Sequence, residues 1–246
     1  MKTIFRSSAL ATAAMVLAGC ASVNIDQAIQ QTNDATPAFT QGKLELSRTG
    51  QQQQARARLS SELLTKPLTK DDAVQLAMAN SPAVQTLLAQ SWSDQASANQ
   101  LGRIANPVFT FERVRSGNEL DIGRMLSFGL LDLLTLPQRQ VISRGQLAQA
   151  RIQLSASVVD QVTLVRQAWV RAVAAQQNLQ YARQVTTAAQ ASAELARRMQ
   201  QVGNFNKLQR AREQVFYADA ALNLARAEQA QRATRERLTR LLGAWG

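Results

Sequence analysis

The chain has 246 residues, 46% hydrophobic but only 5% aromatic, with 11 Gly, 5 Pro, 1 Cys, no His and a formal charge of +11. So few aromatics argue against a dense globular core, and so few Gly and Pro against a many-turned sandwich or an α/β fold. Without His there is no His triad, His-ligated metal or His proton relay, and one Cys excludes an intrachain disulfide and a Cys-only zinc site; no catalytic, metal or cofactor site is expected.

Residues 1–19 read as a secretory signal. Lys2 and Arg6 precede an apolar run over 9–18, about half the length that a bilayer-spanning helix needs. The run ends in Leu17-Ala18-Gly19-Cys20, which resembles a bacterial lipobox. That resemblance implies cleavage before Cys20 and acylation of its sulfur and new amine; the alternative is an ordinary signal peptide with an incidental Cys. Three acyl chains exceed the two signals that stable anchoring takes. Ala21 and Ser22 follow Cys20, not the Asp that resembles an inner-membrane retention signal, so an outer-membrane address is favoured. Losing Lys2 and Arg6 would lower the charge from +11 to +9. The arginines are dispersed rather than clustered with aromatics, which reads as a solvated face meeting acidic headgroups or an acidic partner, not as a nucleic-acid site.

Residues 20–66 are a polar, Gln-rich tether, broken at Pro37 and Gly42 and packed outside something larger. A helix is expected over 70–104. Thr69 is its N-cap, with Asp72 three residues on; Asp71 and Asp72 also admit an acid–base or cation reading, but a helix start rewards carboxylates there. Asn80-Ser81-Pro82 interrupts the helix, with Ser81 able to cap the second half. Asn106-Pro107 ends it.

A β-hairpin is expected over 107–132. In 108–115, Phe109 and Phe111 alternate with Thr110 and Glu112; in 125–132, Leu126, Phe128 and Leu130 face one way. Residues 116–119 supply the turn. The runs have the length and alternation of transmembrane β-strands, yet one hairpin leaves its edges unpaired in lipid and so requires partner strands. The alternative is a soluble hairpin capping a bundle.

A long helix spans 141–202, about 62 residues or roughly 93 Å. One heptad-like seam runs through Val158, Val162, Val165, Trp169 and Ala172; a second through Tyr181, Val185, Ala188, Ser192, Leu195, Met199 and Val202. The seams do not coincide, which implies neighbours on more than one side. Val202-Gly203-Asn204-Phe205-Asn206 makes the turn, with Gly203 fit for the left-handed position and Asn206 for the next cap. Phe205 is expected to find little to bury against within its own two helices. The return helix, 207–242, carries Leu208, Ala211, Val215, Ala218, Leu222 and Ala225 at seam spacing.

Five segments in this order resemble the TolC-type outer-membrane efflux proteins, over roughly residues 67–243: the opening from Leu68 through Pro82, Asn106-Pro107, Leu136-Pro137-Gln138-Arg139, the turn at Val202-Gly203-Asn204, and the ending Arg237 through Gly243. The resemblance implies a mainly α fold: long antiparallel coiled-coil-like helices in an α-helical barrel, with one β-hairpin contributing to an outer-membrane β-barrel. Family members look like two such repeats in tandem, three chains making twelve strands. This sequence matches only the first repeat, half a protomer; the long helix exceeds its return by about 26 residues, or about 39 Å without an in-chain partner.

The same resemblance implies a lipid-anchored outer-membrane channel component of a tripartite system, working with a periplasmic adaptor, an inner-membrane pump and further copies of itself. It assigns Val202, Gly203, Asn204, Phe205 and Asn206 to the adaptor-binding tip, and the residues Phe109, Phe111, Leu126, Phe128 and Leu130 to the lipid-facing strands. The family often has Leu where Asn204 stands. The rival reading is a lipid-anchored periplasmic helical hairpin that acts as a structural or interaction protein without a pore.

Overall fold

Helix-forming residues dominate the chain, and the fold is mainly α with a two-stranded antiparallel hairpin. The computed structural model describes residues 24–41, 43–104, 106–117, 119–127 and 129–244. In chain order the elements are α1 Ile25–Ala35, α2 Pro37–Thr40, α3 Gly50–Leu63, α4 Lys70–Asn80, α5 Pro82–Leu101, β1 Val108–Ser116, β2 Glu119–Ser127, α6 Leu130–Gln201 and α7 Lys207–Leu242. They form two compact units. One is built on Leu88–Leu154 and contains the hairpin; the other combines Gln30–Leu87 with the chain from Ser155 onward.

The polar segment before residue 67 is more than a tether. Ile25, Ala28, Ile29 and Thr32 repeat at helical spacing along α1 and are buried, as are Leu44 and Leu46. In the second unit, residues 43–48 run extended, and their backbone groups find partners in two side-chain amides. Asn33 accepts from the Leu44 N–H and donates to the Leu44 carbonyl, each at 3.2 Å. Gln85 accepts from the Ser47 N–H and donates to the Glu45 carbonyl, each at 2.9 Å. Arg166 donates to the Ala38 carbonyl at 2.7 Å and lies over the Phe39 ring, 5.0 Å from its centre.

Helix α4 starts where the sequence puts it. The Asp72 N–H donates to Thr69 Oγ1 at 3.1 Å, and the Thr69 N–H donates to the Asp72 carboxylate at 3.2 Å. Hydrogen bonding to its carboxylate by the Thr69 side chain first, and then by the Thr69 N–H, holds the Asp72 carboxyl below its usual range. Ser81 does not cap α5: its buried hydroxyl has no partner among the described residues. The end of α4 is instead satisfied from elsewhere, Arg56 donating to the Ala79 carbonyl. Asn80 Nδ2 reaches the far end of α7, donating to the Gly243 carbonyl at 2.7 Å and the Leu242 carbonyl at 3.4 Å. Gly243 has φ +68°, and a Cβ there would stand 2.5 Å from the Asn80 carbonyl oxygen. The backbone conformation and the close approach both require glycine.

In the first unit, Arg139 closes the end of α5. Its guanidinium donates to the carbonyls of Leu101 at 2.9 Å and Arg103 at 2.8 Å, and pairs with Asp132 at 3.1 Å. The long helix therefore starts earlier than residue 141, at Leu130, and runs through Pro137. Proline removes one helical hydrogen bond, and the three bonds of Arg139 one turn-half later anchor the same stretch. The strands also differ from expectation. β2 ends at Ser127, so Leu130 belongs to α6 and not to a strand. Ser116 pairs with Glu119, which fixes the register upstream of the apolar run.

Asn80→Ala should lower unfolding stability by about 1 kcal/mol, through loss of the bonds to residues 242 and 243. Gly243→Ala should cost about 1–2 kcal/mol from the left-handed backbone alone, with the close approach adding to it. Denaturant unfolding followed by helical circular dichroism tests both; Gly243→Ala as stable as the natural chain would contradict this packing.

Candidate functional site

The candidate residues fall in the hairpin and in the turn between α6 and α7. Cys20 and Phe128 lie outside the described residues. Antiparallel register runs from Val108 opposite Ser127 to Ser116 opposite Glu119. Directly opposed residues share a face, so Phe109 and its partner Leu126 lie on one face together with Phe111, Leu120 and Ile122. Phe109, Phe111 and Leu126 are 64%, 56% and 60% exposed. Leu130, the first residue of α6, is exposed but does not belong to this stripe. The opposite face mixes Thr110, Glu112, Asp121 and Gly123 with Val108, Val114 and Met125, also exposed. An exposed apolar stripe on a two-stranded ribbon stabilises nothing within the chain.

The turn between the long helices is set by local hydrogen bonds. Gly203 adopts φ +84°. Its N–H donates to the Gln200 carbonyl at 3.1 Å and the Asn204 N–H to the Met199 carbonyl at 2.9 Å, the paired bonds of a Schellman ending. Asn206 then caps α7: it accepts from the Gln209 N–H at 2.8 Å while Gln209 accepts from the Asn206 N–H at 2.9 Å. Arg210 bridges back to Gln200 at 2.9 Å. Phe205 is half-buried, not exposed, because its N–H also bonds the Met199 carbonyl at 3.2 Å and holds the residue against the helix ends. Val202 and Leu208 are the exposed apolar groups of this turn. Two turns above, Glu194 accepts from Arg197 and Arg198, each at 2.8 Å, and chiefly the Arg197 bond draws its carboxyl down to about 2. That contribution is present above the ordinary glutamate range and fades only as pH falls toward 2.

Helices α6 and α7 meet through small side chains. Ala189 and Ala196 on α6, Ala220 and Ala227 on α7, are buried. Thr186 Oγ1 donates to the Ala220 carbonyl at 3.1 Å, and Ser192 Oγ to Glu213 at 2.7 Å. A cleft of about 570 Å³ opens along this seam, bounded by Tyr181, Val185, Asn223 and Arg226. Several larger residues of the expected seams are nonetheless more than half exposed: Tyr181 and Leu195 on α6, Val202 just after it, and Leu208, Val215 and Leu222 on α7. Small residues make the closest in-chain contact because they let two helices approach, and much of the surface of these larger residues stays exposed among the described residues. The earlier seam on α6 is different: Val158, Val162 and Val165 are fully buried.

No family model matches the chain, and no curated protein does. A solved structure described as a membrane protein from Pseudomonas aeruginosa aligns with a TM-score of 0.49 at 12% identity, covering 89% of this chain and 63% of that one. The chain thus spans less than two thirds of that structure's length.

Asn206→Ala should weaken the turn by about 1 kcal/mol through loss of the cap. Gly203→Val should cost more, since a β-branched residue resists positive φ. Amide exchange at residues 204–210 reads the difference; equal protection in Gly203→Val and the natural chain would contradict the left-handed assignment.

Proposed function

We propose that the chain is an outer-membrane channel component of a tripartite efflux system. It is anchored by lipid at Cys20, extends into the periplasm, and passes small molecules or ions from an inner-membrane pump and periplasmic adaptor across the outer membrane. It is a conduit and not an enzyme, and it contributes one repeat of the two that make a protomer in the TolC-type proteins its motifs resemble.

The observation that carries this reading is the hairpin. Its apolar stripe is exposed, and among the described residues neither strand has a second neighbour. Open strand edges are a liability in water and prohibitive in lipid, and closing several hairpins into one barrel removes them. The outward rows on α6 and α7 fit the same arrangement, since helices in a helical barrel meet neighbours on both sides. At the turn, Val202 and Leu208 supply apolar contact for an adaptor hairpin, with Gly203, Asn204, Phe205 and Asn206 setting its shape.

The full chain in planar lipid bilayers should give discrete ion-conductance steps, and Leu126→Arg should reduce them by destabilising insertion by a few kcal/mol near the bilayer midplane. Monomeric protein with no conductance would favour the lipid-anchored helical hairpin without a pore.

A further inference from the structure

The faces of the hairpin differ in charge as well as in apolarity. Arg124 stands opposite Phe111, Arg113 opposite Ile122 and Arg115 opposite Leu120. All three arginines of the two strands therefore share the face of Phe109, Phe111 and Leu126. The acids Glu112 and Asp121 stand on the other face, opposite Gly123 and Val114. Arg113, Arg115 and Arg124 are exposed and make no ion pair among the described residues.

The charge is also graded along the face. Phe109 and Leu126 mark the open end, Phe111 and Arg124 come next, and Arg113 and Arg115 approach the turn. From Phe109 to Arg115 is about 20 Å of extended strand. An arginine on a lipid-facing position is costly at the bilayer midplane and nearly free at its interface, so this order sets the apolar end among acyl chains and the turn end at the headgroups. A guanidinium presents paired donors that match a phosphate oxygen pair, and the acids that would repel a phosphate point away from it.

We infer that the face bearing Arg113, Arg115 and Arg124 binds the phosphates of anionic lipid headgroups, ordering the hairpin at one surface of the membrane it enters. This rests on the membrane reading of the hairpin given above. The test uses the full chain reconstituted in phosphatidylcholine vesicles carrying a trace of spin-labelled phosphatidylglycerol or spin-labelled phosphatidylcholine. Electron paramagnetic resonance reports the motionally restricted lipid at the protein surface.

Restricted phosphatidylglycerol should exceed restricted phosphatidylcholine at least about two-fold at low salt. The preference should shrink toward one in molar salt, a measurement that needs no variant. R113Q/R115Q/R124Q should abolish it, R113K/R115K/R124K should keep part of it, and E112Q/D121N should leave it intact. Restricted lipid with equal preference in the natural chain would overturn the headgroup assignment while leaving the hairpin in the membrane. No restricted lipid of either kind would overturn both.

Discussion

An α-helix leaves its last carbonyls without partners, and in this chain donors from distant segments meet them. Arg56 serves the end of α4, Asn80 the end of α7, and Arg139 the end of α5. Trp169 likewise donates to the Leu68 carbonyl at 3.0 Å, just before α4 begins. A chain with 5% aromatic residues has little large apolar area with which to fix its helices. Directional bonds at helix ends supply the missing specificity, because each exists in only one arrangement of the elements it joins. Gly243 belongs to the same set: it lets the end of α7 approach the α4–α5 break closely enough for Asn80 to reach it.

This accounts physically for segments that resemble family motifs. Asn80-Ser81-Pro82 and Leu242-Gly243 are far apart in sequence yet form one contact. Arg139, in the segment after the hairpin, gathers Leu101, Arg103 and Asp132 around one guanidinium. In each case a polar group closes a junction between helices.

What the sequence made legible was local. The Thr69–Asp72 box, Gly203 at the end of α6, Asn206 at the start of α7, and the span of α7 each depend on neighbours within four residues. Thr49 and Gln52, which form a capping box at α3, and the helical stripe of Ile25, Ala28, Ile29 and Thr32 are local signals of the same kind. The misplacements came from contacts distant in sequence. Pro137 looks like a boundary until Arg139 is seen to anchor its turn. The apolar run at 125–130 looks like one strand, but the pairing that starts at Ser116 and Glu119 ends the second strand at Ser127. The seam spacing does not say which residues meet α7: Ala189, Ala196, Ala220 and Ala227 are buried, while Leu195, Val215 and Leu222 of the expected seams stay exposed.

Leu195, Val215 and Leu222 on the long helices and the stripe on the hairpin are largely exposed among the described residues, and their burial against other protein is the central claim of this account. A photo-crosslinking amino acid at Leu195, Val215 or Leu222 in cells tests it most directly. Capture of a second copy from these positions, with none from Gln190 on another exposed face of α6, is the predicted result. Equal and negligible capture at all four positions, with normal protein levels, would contradict it.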